Sequence, residues 1–328
     1  MRHLRSGCWV TVVVVLAAIA MIAEATAATV YGTVFTNPGQ LVRIDTNTGQ
    51  VVTVAATGNS PDSLVFDASG RIIYSVFGAN QVRRFDPATG TDVLLSGAFS
   101  GPLDLALEPG GATVLVSNNL TPRIDRLNLS TGVVTPFFAS GGGGGVVYDT
   151  SGRLFANLPG LIAQLNPQTA TAIQTGPVPA SLDGLTFDPV TGSLFATDGS
   201  GGRIYRYNPS NLAAGATLLA TIVPSGGFVD GIAADGTGNL FVAVRILANE
   251  SQSGLFRVNA TTGAFTQVAF AASLDDIAPL AGLGAPPPVT VPATFNPNVP
   301  TLSEMALIAL ALIVAAAALV ALRRRRAS

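Results

Sequence analysis

The chain has no lysine; all 17 of its basic residues are arginine. Its single His, Cys and Trp are His3, Cys8 and Trp9, so all three fall within the first nine residues. Everything beyond them lacks an imidazole, a thiol, an indole and a lysine amine. This excludes a Ser-His-Asp triad, a Cys nucleophile, a His or Cys zinc site, a lysine Schiff base and a disulfide from the body of the protein. Charge is scarce too. Charged residues are 11% of the 328, against roughly 25% in average soluble domains. Between the terminal segments 11 Arg face 17 acidic residues with no basic block, which excludes a nucleic-acid binder. Helical periodicity is missing from the whole middle of the chain.

What is present begins with a secretory signal over residues 1–27. Arg2 and Arg5 form its positive start, Trp9 to Ile22 its apolar run, and Ala25-Thr26-Ala27 its small-residue cleavage site. The mature chain is expected to begin near Ala28. A second apolar segment, Met305 to Leu322, is 18 residues long without a charge and is followed by Arg323 to Arg326. As a helix it rises about 27 Å, close to a bilayer core. It is expected to span the inner membrane with its Arg cluster in the cytoplasm and the preceding chain outside. Residues 282–300 are Pro-rich, from Pro286, Pro287 and Pro288 to Pro300, and read as a semi-rigid spacer.

Val299-Pro300-Thr301-Leu302, followed by the apolar segment and the Arg cluster, resembles the IPTL-CTERM sorting tail over residues 301–328 and the Pro-rich stretch just before them. Met305 and Ala306 stand where that family has Trp and Gly. The resemblance implies sorting to the envelope or cell surface, with an exosortase-like processing enzyme and the inner membrane as partners.

Residues 28–281 are a repeat. An apolar residue, then Asp or Asn, then a turn recurs at Asp45, Asp86, Asn128, Asn166, Asn208 and Asn259, at spacings of 41, 42, 38, 42 and 51. A period near 42 is that of a propeller blade. Asp or Asn accepts hydrogen bonds from the turn's own amides, and Gly takes its left-handed position. Arg43, Arg84, Arg126, Arg206 and Arg257 stand two residues before five of the six and share a strand face with them. They are read as links between neighbouring hairpins. A second motif, as in Ser63-Leu64-Val65-Phe66-Asp67, precedes each copy but the first. Each unit therefore reads as four short strands, a to d. The sixth unit is split: Asp276 to Leu280 supplies strand a, and Val30 to Ala55 supplies b, c and d. The fold expected is all-β, a six-bladed β-propeller closed by pairing of N- and C-terminal strands, with a C-terminal transmembrane helix.

Asp183-Gly184-Leu185-Thr186-Phe187-Asp188 and Asp230-Gly231-Ile232-Ala233-Ala234-Asp235 are similar to repeats of the NHL, YVTN and SMP-30/gluconolactonase-like propellers. The residue before each strand a points at the channel mouth: Asp62, Leu103, Gly144, Asp183, Asp230 and Asp275. Four carboxylates on one axis are a candidate site for a hard cation such as Ca²⁺. The alternative is that each caps the amides of its own loop. Resemblance to SMP-30 implies a lactonase with a divalent metal, in which Asp183 or Asp230 is the Asp ligand; Leu103 and Gly144 supply no ligand. Lyase-type propellers with a catalytic His are excluded. Loops on the same face offer Asn118, Asn119, Asp198, Arg245, Asn249 and Glu250. Gly141 to Gly145 reads as a flexible loop. The function expected is a non-catalytic, surface-displayed binding module for an unidentified ligand. The alternatives are the metal-dependent lactonase and a structural envelope protein.

Overall fold

A computed structural model describes residues 29–223, 227–247 and 249–279. The expected signal peptide, spacer and transmembrane helix lie outside them. The described chain forms six four-stranded antiparallel sheets. The first holds β1 (Thr29–Val34), β2 (Gln40–Asp45) and β3 (Val51–Ala56). The second holds β4 (Pro61–Phe66), β5 (Ile72–Val76), β6 (Gln81–Asp86) and β7 (Thr91–Ser96). The third holds β8 (Pro102–Leu107), β9 (Thr113–Asn118), β10 (Arg123–Asn128) and β11 (Val134–Phe138). Next come β12 (Val146–Tyr148), β13 (Leu154–Leu158), β14 (Leu161–Leu165) and β15 (Ala172–Pro177). Then come β16 (Leu182–Asp188), β17 (Ser193–Asp198), β18 (Arg203–Tyr207) and β19 (Thr217–Thr221). The last full sheet holds β20 (Gly227–Ala234), β21 (Asn239–Ile246), β22 (Gly254–Asn259) and β23 (Phe265–Phe270). Finally β24 (Leu274–Pro279) returns to pair with β1, as in Tyr31 opposite Ala278. Helix among the described residues is confined to three single 3₁₀ turns.

The six-bladed propeller and its split closing blade agree with the sequence reading. Inner strands β4, β8, β12, β16, β20 and β24 adjoin in order, and β24 adjoins β4 again. The core lies between neighbouring sheets. Phe195 of β17 packs with Leu240 and Val242 of β21, and Tyr31 of β1 with Phe66 and Tyr74 of the next blade. Each apolar face is therefore buried by the next copy of itself, and a ring leaves none unpaired.

The turns follow their composition. Asp45 Oδ1 accepts from the amides of Asn47 and Thr48, each at 2.9 Å, and Asn128 Oδ1 from those of Ser130 and Thr131, each at 3.0 Å. Gly49, Gly90, Gly132 and Gly263 hold φ of 71–73° at the turn ends. Two of the five strand-c arginines reach across blades, whereas Arg206 Nε donates to Ser193 Oγ of its own blade at 2.8 Å. Arg84 Nη1 donates to Leu129 O at 3.4 Å and Arg126 Nη2 to Pro167 O at 3.0 Å.

The Gly run is not a free loop. Gly142, Gly144 and Gly145 are buried, and Gly145 N donates to Asp183 O at 2.6 Å. A Cβ on Gly145 would stand 2.4 Å from Leu185 N. Glycine is required there because two inner strands approach too closely for a side chain.

Candidate functional site

The upper mouth of the channel is shaped by a repeated irregularity in the inner strand. In five blades the register shifts where strand a meets strand b, so that extra residues bulge toward the axis. Pro61 faces Val76 and Leu64 faces Tyr74, so Asp62 and Ser63 together oppose Ser75. Likewise Asp183 and Gly184 oppose Thr197, and Asp275 and Asp276 oppose Thr33. A bulge re-aims side chains and frees backbone groups that need new partners.

Strand-b polar residues supply those partners. Thr197 Oγ1 accepts from Gly184 N at 2.8 Å and donates to Asp230 O of the next blade at 2.6 Å. Thr33 Oγ1 accepts from Asp276 N at 3.0 Å and donates to Asp62 O. Asn157 Nδ2 donates to Asp183 O at 2.9 Å. Second-position side chains add links. Asp276 Oδ2 accepts from Leu64 N at 3.2 Å, Ser63 Oγ donates to Asp104 Oδ1 at 2.8 Å, and Asp104 Oδ2 accepts from Val146 N at 2.6 Å. The result is a girdle of hydrogen bonds that ties blade to blade around the channel. Asp104 and Asp276 were not singled out in the sequence. Their signal was the Asp-Asp and Leu-Asp pairs at the start of strand a, but only the bulge shows that the second member turns inward as well.

Above the girdle is a cavity of about 260 Å³. The four first-position carboxylates Asp62, Asp183, Asp230 and Asp275 all line it, with Asp104 and Asp276 in its wall. Three rings, Phe35, Phe77 and Phe228, complete the wall, as do Asn119 and Arg245. Arg245 is the cation of the mouth. Its Nη1 donates to Asp275 Oδ1 at 2.6 Å and lies 3.5 Å from Asp230 Oδ2. Its guanidinium lies over Phe35 and Phe228, at 5.5 and 5.6 Å from the centroids.

Crowded carboxylates in a low-dielectric mouth cannot all ionise. Burial pushes Asp183 up to about 6, with Arg245 opposing. Burial, then repulsion from Asp275 and Asp183, pushes Asp230 well above the carboxylate range. Asp62 rises for the same reasons, burial first and Asp275 second. Burial raises Asp275 to about 7, with Arg245 pulling against it.

The remaining loop residues divide. Asn118 is buried and structural: Nδ2 donates to Asp125 Oδ2 at 3.0 Å and Oδ1 accepts from Ser100 N at 3.0 Å. Asp198 is buried and accepts from Gly201 N at 2.9 Å. Glu250 Oε2 accepts from Ser273 N at 3.1 Å, and Asn249 Oδ1 from Ser251 Oγ at 2.5 Å. Of the six loop residues, Asn119 and Arg245 line the cavity.

The divalent metal implied by the resemblance to SMP-30-like propellers would have to be held by this donor set. Among the described residues no three acidic side chains are gathered to hold a metal ion. Arg245 already engages Asp230 and Asp275. Leu103 and Gly144 occupy two of the six first positions. The set does not fit a Ca²⁺ shell of six to eight oxygens.

Comparison with known proteins places the address and the fold. Residues 299–326 match the IPTL-CTERM motif, a C-terminal sorting signal of exported, membrane-associated proteins. A search of curated protein sequences finds no match. Solved structures share the propeller. A chain of the nidogen/laminin complex has a TM-score of 0.64 at 14% identity, covering 76% of this chain and 97% of that one. A protein of unknown function from Bacteroides caccae has 0.59 at 12%, covering 77% and 99%. A catalytically inactive virginiamycin B lyase from Staphylococcus aureus, solved with quinupristin, has 0.50 at 16%, covering 67% and 79%. At such identities the likeness is one of fold.

Proposed function

We propose that this protein is an exported β-propeller held at the cell envelope by its C-terminal signal, and that it acts as a non-catalytic binding module whose ligand site is the acidic mouth. One observation carries the reading. The mouth offers recognition groups, namely carboxyls, ring faces and a guanidinium, while its hydroxyls are committed elsewhere. Thr33, Ser63 and Thr197 bond the girdle, and Ser75 and Ser117 accept from the amides of Ser63 and Gly143. None of the five lines the cavity, so none stands where a bound ligand would meet a nucleophile. The comparison lyase is inactive with one histidine changed to alanine; the one histidine here is His3, outside the propeller. That difference supports a function other than the lyase's histidine-dependent one.

Two measurements test the reading. Deletion of residues 299–328 is expected to move the exported protein from the membrane fraction to the soluble fraction, and retention in the membrane would sink the display half. A panel of lactones is expected to show no turnover. Hydrolysis that disappears in Asp183→Asn or Asp230→Asn would sink the binding half.

A further inference from the structure

The mouth already seats one guanidinium and uses only part of its surface to do so. Arg245 is gripped by Asp275 at 2.6 Å on one side and by the faces of Phe35 and Phe228 on the other. Carboxylate plus ring face is the pairing by which proteins recognise organic cations. The rest of the same pairing is only partly engaged. Asp230 Oδ2 is buried and accepts no hydrogen bond, its contact with Arg245 Nη1 being an ion pair at 3.5 Å. Asp62 and Asp183 line the same cavity, and among the described residues the ion pairs of Arg245 go to Asp230 and Asp275 instead. Phe77, tilted against Phe35 at 6.1 Å, offers a third ring on the wall.

A hard metal ion makes no use of ring faces, and the carboxylates do not converge as a metal requires. An organic cation needs no such convergence. It takes hydrogen-bond acceptors spread over an arc and apolar walls for its stem. The volume, about 260 Å³, lies just under the roughly 300–1,000 Å³ of pockets for drug-sized ligands. It admits one cationic head with a short stem.

The geometry points to a second organic cation, a guanidinium or alkylammonium group, as the ligand of this mouth, held by Asp62, Asp183 and Asp230 with its stem against Phe77. This rests on the mouth being a ligand site, as proposed above. Burial raises all three carboxyls, and with repulsion from Asp275 and Asp183 it holds Asp230 at about 9, protonated at neutrality. An arriving cation favours their charged forms, so binding releases protons and tightens as pH rises. The cation belongs either to a free amine or to an Arg or Lys side chain of a partner protein.

The test is calorimetric titration of the full-length protein in detergent micelles at about pH 6 and about pH 8.5, which covers most of the interval between Asp183 at about 6 and Asp230 at about 9. The probes are agmatine, a capped Gly-Arg-Gly peptide, its neutral citrulline counterpart and CaCl₂. Agmatine or the Arg peptide is expected to bind about tenfold more tightly at the higher pH, with release of protons. The citrulline peptide is expected not to bind. Asp230→Asn and Asp183→Asn are each expected to weaken binding by about tenfold, since each removes a charge-assisted contact. Asp67→Asn, in the turn between β4 and β5 and outside the cavity lining, should leave it unchanged. Tighter binding of agmatine identifies a free small amine, and tighter binding of the peptide identifies a protein partner; both support the inference. Failure of both probes at about 10 mM, weaker than any specific site, overturns it, as does equal binding of the citrulline peptide. Binding of Ca²⁺ alone at the mouth also overturns it, while leaving the mouth a ligand site. Turnover of lactones would instead overturn the non-catalytic reading.

Discussion

Replacing Asp183 by Asn should make the protein more stable at neutral pH, although it removes a charged residue from a charged site. Asp183 lines the cavity, and its hydrogen bonds to Gly145 and Asn157 run through its backbone oxygen. Asn keeps those bonds and the side-chain volume. Burial holds the Asp183 carboxyl at about 6 in the fold, against 3.8 as its ordinary value. Between those values the native state binds more protons than the unfolded chain. The stability tied to this group is therefore full below pH 3.8 and lost as pH rises through about 6. A gap of about two pH units corresponds to roughly 3 kcal/mol; because the carboxyl borders an open cavity, about 1–3 kcal/mol is the working range. In a protein of this size that is a rise of several degrees in Tm. Thermal unfolding followed by circular dichroism should show wild type and variant together near pH 4 and separated above pH 7. A variant equal to or less stable than wild type at pH 8 would refute the reasoning. It would mean that the Arg245 field outweighs burial and that the ionised carboxylate stabilises the fold.

Other perturbations probe the girdle, the mouth and the closure. Thr197→Val removes two bonds and leaves the Gly184 amide without its partner, so chemical denaturation should show a loss of about 1–3 kcal/mol; no loss would mean the amide finds water. Arg245→Met strands the Asp275 carboxylate and should cost about 3 kcal/mol at pH 8 but much less at pH 5, where burial keeps that carboxyl protonated. Parallel melts at the two pH values check this. In Gly32→Val, a Cβ at position 32 would stand 2.7 Å from Leu274 Cδ1 and 3.0 Å from Asp276 O. Prising β24 from β1 should cost about 1–3 kcal/mol and show as earlier amide exchange in both strands, whereas uniform exchange across all blades would argue against a local latch.

The architecture was legible because a ring repeats its rules. The Asp or Asn turn with its glycine can be read at Asp45, Asp86 and Asn128 without knowing what packs against it, since its hydrogen bonds are local. The offset between the first turn and the last inner strand announced the shared blade. The Arg two residues before the turn was read as a link because strand periodicity is a backbone property, and at Arg84 and Arg126 it is one. Its partners, carbonyls such as Leu129 O and Pro167 O, were not legible, because they lie a blade away. The Gly run was misread as flexible because a flexible loop and a close approach of two inner strands demand the same residue. Only the position of Leu185 N against Gly145 separates them.

The site was half legible for a related reason. An Asp at the head of four inner strands is visible in the sequence, and Asp62, Asp183, Asp230 and Asp275 do share one cavity. Strict strand alternation, however, sends the next residue to the opposite face. By that rule Asp104 and Asp276 would point away from the axis. The bulge breaks the alternation, and both carboxylates enter the inter-blade girdle. The same departure decides what each ring of carboxylates is for. Those of the second position spend oxygens on amides of the next blade, and Asp104 also on the Ser63 hydroxyl of the blade before, so they fasten blade to blade. Those of the first position stand clear of that girdle. Asp275 and Asp230 meet Arg245, and the others face the cavity. Arg245 itself looked like one loop residue among six. What distinguishes it is its place between two rings and two carboxylates drawn from different blades, a juxtaposition that exists only once the ring is closed.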